Sequence, residues 1–416
     1  MAEDLKQMYK TIMDDHFSPK MEISFIDGEN RQTLFYEKVD WVIDNVRKGL
    51  RYGENPGQEA ALYKLVNGNI ILGECESILA GQYLASDIEL LQSGKHPGKT
   101  NLTDADNALN ILRYFTEKPA VIIVKHNNPC GAALSDNLCD AYVKAYMADR
   151  IAAFGGCIAV NRALDMATAE AIANQYAEVV VAPEFEDGTI GILAKRKNLR
   201  VIRINNMKRL NDFVGQRVVE FKNLMDGGII AQWSFVPQAR SCEDFRLAKC
   251  EYKGVTYRIN RPPTPAELED IRFGWLLESG VTSNSVIYVK NNVSVGIGTG
   301  EQDRVGVAEI ARDKAYRKLA DRLCFETHQT SYNDLKDAGK KADIDERVKI
   351  ANGGLKGSTM VSDAFFPFRD GVDVGLNEGV TAVVQPGGAI NDHEAITACN
   401  EAGATMVITG QRSFKH

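Results

Sequence analysis

The chain repeats one local pattern, and that repeat constrains the fold more than any other feature. AVIIVKHNNPCGAA (Ala120 to Ala133) and SVIYVKNNVSVGIG (Ser285 to Gly298) both read V-I-x-V-K-x-N. Each apolar run is short and rich in β-branched residues, so it reads as a buried strand that ends on a lysine. Each follows a helical stretch, DADNALNILRYFTE in one case and PAELEDIRFGWLLESG in the other. Further on, TAEAIANQYAEVVVAPEF and DVGLNEGVTAVVQPGG each read as a helix, a strand and a Pro-containing turn. The echo predicts an α/β fold made of two copies of one module by internal duplication, with a site between the copies. The expected division is a first module over 1–206 with an N-terminal helical extension, a connecting segment over 207–262, and a second module over 263–416. A helical insertion, rich in Lys, Asp and Ala, is expected near 311–352.

At 416 residues the chain is too long for one typical core. The formal net charge of -7 supplies no global basic field, which speaks against nucleic acid as a partner. The short basic run AKRKNLR (Ala194 to Arg200) reads as a solvated loop. No apolar run approaches the roughly 18 residues that span a bilayer, and MAEDLKQMYK lacks a signal-peptide core, so no membrane is expected and the cytoplasm is. The eight cysteines lack a C-x-x-C pair and read as reduced, mostly buried side chains.

Chemistry concentrates in a few stretches. Lys125 and His126 sit side by side where a buried strand ends. A histidine titrates near pH ~6.5 and can exchange protons at neutral pH, while a lysine can hold a developing oxyanion. In isolation the pair also suits a strand-edge lysine and a surface histidine. RYGENPGQ (Arg51 to Gln58) is a loop whose arginine could fork onto a phosphate or carboxylate. GIGTGEQDR lacks the last glycine of a dinucleotide loop, so its glycines point instead to a close backbone approach to a ligand, with Arg304 beyond to hold an anion. SDAFFPFRDG (Ser362 to Gly371) offers either an apolar wall for a flat aromatic ligand or a corner of the core. The terminal GQRSFKH would fray unless it docks into a site.

Taken in order, RYGENPGQ, TNLTDADNA, VKHNNPCGAA, DRIAAFGG, SNSVIYVKN, VGIGTG, SDAFFPFRD and RSFKH resemble the transformylase part of the bifunctional purine-biosynthesis enzymes. That part is the AICAR (aminoimidazole carboxamide ribonucleotide) formyltransferase family, and the likeness runs from about Glu22 to His416. The resemblance implies two cytidine-deaminase-like α/β modules. It also implies formyl transfer from 10-formyltetrahydrofolate, a cosubstrate, to the 5-amino group of AICAR. The deaminase signature H-x-E with P-C-x-x-C is absent, so no zinc is expected and a zinc hydrolase is disfavoured. A non-catalytic nucleotide-binding module is the other alternative, and the intact Lys125–His126 pair argues against it.

By the same resemblance, His126 is the proton-transfer residue and Lys125 its partner on the oxyanion. Arg51, Tyr52 and Arg412 match residues that hold the ribonucleotide and its phosphate. Asn101, Phe154, Gly155, Asn284, Arg304 and Phe365 match residues at the substrate, and Pro367, Phe368 and Asp370 match the folate-binding region. Asp303 stands where animal members carry a small hydroxyl residue, and Gly371 where they carry asparagine. The resemblance implies a homodimer with sites at the interface, and some members hold a buried potassium ion. Only about fifty residues precede RYGENPGQ, and they read as one or two helices. The expectation is therefore a transformylase without the IMP cyclohydrolase domain, dependent on a separate cyclohydrolase.

Overall fold

The computed structural model describes residues 7–8, 11–12, 14–67, 70–73, 75–76 and 81–416. The chain forms two compact units, Met1–Glu117 with Gly155–Val236, and Lys118–Phe154 with Pro237–His416. Each unit thus draws on two separated stretches of sequence. Among the described residues no helix is long and apolar enough to cross a membrane.

The first unit opens on strands where helices were expected. Lys20–Asp27 pairs antiparallel with Asn30–Lys38, which pairs with Tyr63–Asn67. Trp41–Ile43 pairs with Val46–Lys48. The turn chemistry explains the correction. Gly28 carries φ +58 in the Asp27–Gly28–Glu29–Asn30 turn, and Asp44 and Asn45 have φ of 52 and 62. Such residues close two-strand turns, and Glu22–Asp27 alternates polar and apolar as a strand does. Residues 1–6 and 9–10 of the amphipathic start lie outside the described residues.

The rest of this unit is an α/β layer. Cys157–Val160, Val179–Ala182 and Arg200–Arg203 run parallel, and Glu89–Gln92 closes the edge antiparallel. The three parallel strands are almost wholly buried, as continuous apolar runs should be. The helix Lys99–Leu112 follows Gly98 and buries Leu102, Ala105, Leu109 and Leu112. Part of the expected connecting segment, Val219–Asn223 with Ile229–Trp233, is a hairpin of this unit.

The second unit carries the other sheet strands in the order Arg246–Leu247, Thr405–Ile408, Ala382–Gln385, Thr359–Ser362, Val286–Lys290, Val293–Gly298, Asn128–Leu134, Ala120–Lys125. Its core includes Val286, Tyr288, Met360, Phe366, Val383 and Met406. The stretch read as an insertion is helical, with Arg304–His328 and Ala338–Ile350.

Both echoed segments are hairpins with two-residue turns. Lys125 pairs with Asn128 across His126 and Asn127, whose φ values are 54 and 60. Lys290 pairs with Val293 across Asn291 and Asn292, whose φ values are 54 and 57. Positive φ at both turn positions marks the type I′ turn, whose twist suits a hairpin. The turn is shorter than the Asn-Asn-Pro-Cys-Gly turn expected. Asn128 to Gly131 already belong to the returning strand, with Pro129 beside a register shift where a proline is tolerated.

Candidate active site

Lys125 is the last residue of its strand and His126 the first of the turn, so two adjacent residues leave the ladder at one corner. Lys125 Nζ donates to the Phe154 carbonyl at 2.7 Å. The imidazole of His126 is exposed and has no hydrogen-bond partner among the described residues. The pair lines a cavity of about 260 Å³, together with Asn128, Cys130, Lys314 and Lys318. Lys318 pairs with Asp149 at 2.8 Å, and burial lowers the proton affinity of Lys314. Burial pushes the Cys130 thiol up to about 12, which keeps it protonated and a poor nucleophile.

Asn128, which the sequence reading passed over, ties this corner to the second hairpin. Its Oδ1 accepts from the Thr282 amide at 2.8 Å and from Thr299 Oγ1 at 3.1 Å. The C-terminal tail docks rather than frays. Lys415 Nζ donates to the Asn127 carbonyl at 2.9 Å, and the Ser413 amide donates to the Asp363 carbonyl at 2.9 Å. Arg412 is exposed, with its guanidinium over the Phe414 ring at 4.2 Å.

Arg304 is buried and its fork is committed inside the protein. It donates to the Ser285 carbonyl at 3.0 Å, to Ser362 Oγ at 3.1 Å, to Asn284 Oδ1 at 2.8 Å and to the Asp363 carboxylate. It therefore orients Asn284. Beside it, Ser283 Oγ donates to Asp363 at 2.5 Å and Ser285 Oγ to Glu278 at 2.6 Å. Burial, then the charge of Asp363, pushes the Glu278 carboxyl well above its usual range. Glu278 Oε2 and Ser413 Oγ are buried without partners among the described residues. A buried, oxygen-only set with unused acceptors has the donor chemistry of a hard cation, so the residues fit a potassium ion. Among the described residues, no group of three or more His, Cys, Asp or Glu is placed to hold a metal ion.

The FFPF stretch divides by side. Phe366 is fully buried, and its amide donates to Gln385 Oε1 at 3.0 Å. Phe365 and Phe368 are 41 % and 57 % exposed, so both candidate readings hold in part: one ring anchors the core and two form an open apolar wall. Pro367 and Asp370 are exposed beside them, and Asp370 Oδ1 accepts from the Gly371 amide at 2.8 Å.

The two departures from the animal residues have local reasons. Asp303 caps the helix Arg304–His328, accepting from the Gly306 amide at 2.6 Å. Hydroxyl and carboxylate residues are interchangeable caps, so the exchange preserves the role. At Gly371 a Cβ would lie 2.8 Å from Phe366 Cδ1. Helix propensity alone would slightly favour asparagine over glycine there, but the overlap with a buried ring outweighs it. Gly371→Asn should lower stability by about 1–3 kcal/mol, read as a lower urea midpoint. An unchanged midpoint would mean that Phe366 is not held against this helix.

GIGTG does not bring backbone to a ligand at every glycine, as was expected. A Cβ at Gly296 or Gly298 would meet the Ala311 or Val307 carbonyl at 2.3 Å, so these two glycines seat a helix on the hairpin.

A second constellation lies within the first unit. Arg51 Nη2 donates to Tyr52 Oη at 2.9 Å, and the Lys99 amide donates to the Tyr52 carbonyl at 3.1 Å. Asn101 Nδ2 donates to Glu178 Oε2 at 3.2 Å, and Gly155 donates from its amide to the Tyr176 carbonyl at 2.8 Å. Gly155 has φ +77, and a Cβ there would press on the Tyr176 ring at 3.3 Å. Arg51, Tyr52 and Asn101 are thus brought together, as expected, around the start of one helix. Phe154 belongs to the other unit and is 61 % exposed. Glu178 and Arg200 join the group unforeseen. AKRKNLR is solvated at Lys195 to Lys197 but ends on Arg200, which is 4 % exposed.

Comparison with known proteins follows from this geometry. The family model described as "AICARFT/IMPCHase bienzyme" matches residues 8–314. A protein of Thermoanaerobacter sp. (strain X514) named bifunctional purine biosynthesis protein PurH is 35% identical over 409 residues, 98% of this chain and 65% of its own length. Its namesake in Magnetococcus marinus is 36% identical over 395 residues, covering 95% and 64%. That of Chlorobaculum parvum is 38% identical over 369 residues, covering 88% and 59%. The chain thus spans about three fifths of the length of these relatives. With a family match over most of its residues, the chain belongs to the AICARFT/IMPCHase bienzyme family.

Proposed function

We propose that this chain is an AICAR formyltransferase that moves a formyl group from 10-formyltetrahydrofolate to the 5-amino group of AICAR, in the formation of purine nucleotides. The observation that carries the reading is the placement of Lys125 and His126 at one hairpin corner, on the rim of a cavity. The amine of AICAR is a weak nucleophile, because its lone pair is delocalised into the ring. As its nitrogen attacks the formyl carbon, His126 takes the amine proton. The carbonyl oxygen becomes an oxyanion, which the Lys125 ammonium stabilises. The bond from carbon to the folate nitrogen then breaks, and that nitrogen takes up a proton. Phe365 and Phe368 give the flat pterin an apolar face, with Pro367 and Asp370 beside it. Asn284, oriented by Arg304, faces the carboxamide and formyl group, while Arg51, Tyr52, Asn101 and Arg412 hold the nucleotide.

The recurrence of helix, hairpin, helix and parallel strands supports a duplication of one deaminase-like module. A potassium ion would be held by the oxygen cluster around Asp363, Glu278 and the two serines, as a fixed charge beneath Asn284. The working form is proposed to be a homodimer, and a monomer mass in sedimentation at assay concentration would refute that. Every motif recognised here belongs to formyl transfer, so ring closure is assigned to a separate cyclohydrolase. The test is to incubate the purified chain with AICAR and 10-formyltetrahydrofolate and separate the products. Formyl-AICAR should form and stop at a small fraction converted, with added cyclohydrolase drawing it onward. No formyl-AICAR in the presence of cyclohydrolase would retire the transferase. Inosine monophosphate made by the chain alone would retire the single-activity reading.

A further inference from the structure

Arg51 and Arg200 are 8 % and 4 % exposed. Each has an Nε–H that is buried and without a partner among the described residues. Both stand at the start of the helix Lys99–Leu112. A Cβ on Gly98, the residue before that helix, would lie 3.8 Å from Arg51 Nη2. Asn101, in the first turn, shares the Glu178 carboxylate with Arg200, whose Nη1 lies 3.9 Å from Glu178 Oε2. Strand register creates this arrangement, because Arg200 pairs with Val179 on the neighbouring parallel strand.

The charges do not balance. Two buried guanidiniums share one carboxylate that is partly open to water, and the helix start adds a further positive end. Burial, then the charge of Arg51, lowers the proton affinity of Arg200, so the two cations act on each other. Buried charge persists where something compensates it, and unused N–H donors aimed at one helix start suit an oxyanion.

We propose that Arg200 is the second arginine of a phosphate-monoester site that it forms with Arg51 and the start of the helix Lys99–Leu112. Two forks present parallel N–H pairs, and a dianion offsets both charges. A monoester carries most of its second negative charge above pH ~6, so binding should strengthen as pH rises through that value. The inference rests on the proposed function only in equating this monoester with the ribonucleotide.

The experiment is thermal unfolding with ribose 5-phosphate, and with ribose as control. The wild-type chain should be stabilised by ribose 5-phosphate, increasingly from pH 5.5 to 7.5, and not by ribose. Arg200→Gln should unfold at the wild-type temperature or above, since it removes a repelling cation, while its affinity for ribose 5-phosphate falls at least tenfold. Arg200→Lys, which keeps the charge and loses the fork, should be intermediate, and it decides the matter if the glutamine variant does not fold. A wild-type chain indifferent to ribose 5-phosphate would overturn the site. An unchanged response in Arg200→Gln, or in Arg200→Lys where that variant must decide, would make Arg200 a structural partner of Glu178. No turnover enters this assay. A chain that binds the monoester but transfers no formyl group would leave the site standing and retire the transferase reading.

Discussion

His126→Asn should lose 10²- to 10⁴-fold in kcat, with nucleotide binding and the urea midpoint close to wild type. Asparagine is the informative replacement, because His126 holds φ 54 and the matching position of the second hairpin is Asn291, also at φ 54. Asparagine tolerates the left-handed region, so the turn survives while the proton carrier is removed. Alanine would add a backbone cost of roughly 1–2 kcal/mol and confuse lost chemistry with a loosened turn. Lys125→Met should lose a comparable amount by removing the cation that meets the oxyanion. Part of that loss would come from release of the Phe154 carbonyl, held at 2.7 Å. The two roles separate in the pH profile of kcat/KM. His126→Asn should remove the limb that reports loss of the base, and Lys125→Met should lower the curve without removing that limb. Turnover within a fewfold of wild type in His126→Asn would end its assignment as the base.

How far these features could be read from the residues depended on whether the interaction was local. The V-K-x-N echo was legible because a hairpin is closed by neighbours in sequence, and the structure forms two matching turns at that motif. The N-terminal hairpins were equally local, yet Asp27–Gly28 and Asp44–Asn45 were not weighed against the helical reading. Phe366 and Phe365 show the limit of local reasoning. Composition announces aromatic surface, but only the packed sheet decides which ring enters the core. Arg200 and Glu178 lay beyond reach altogether. Nothing within KRKNLR distinguishes a solvated arginine from one that strand pairing places beside Glu178. The commitment of Arg304 to Asp363 likewise joins residues far apart in sequence.

Gly131→Ala and Gly298→Ala should each destabilise the fold by about 1–3 kcal/mol or more, although a single methyl is added in either case. Neither glycine has positive φ, so a glycine-to-alanine change would ordinarily stabilise by about 0.4–1 kcal/mol through the unfolded chain. Space reverses the sign. A Cβ on Gly131 would stand 2.0 Å from the Ala145 carbonyl, and one on Gly298 would stand 2.3 Å from the Val307 carbonyl. Both obstacles are helix backbone, so neither can swing aside as a side-chain tip could. Gly191→Ala is the control: nothing lies within 4 Å of its Cβ position, in the short helix Thr189–Leu193, and stability should hold or rise. Urea midpoints of the three variants check the ordering, and a Gly131→Ala midpoint at or above wild type would mean that the helix Leu138–Ala148 is not seated on its hairpin. The same contact reaches the chemistry. Cys130, beside Gly131, and Ala148, at the end of that helix, both line the cavity below Lys125 and His126. Pushing helix from hairpin therefore widens the site as it weakens the fold. Any Gly131→Ala protein that folds should lose kcat more than Gly298→Ala does, because its overlap lies on the hairpin that carries the catalytic pair.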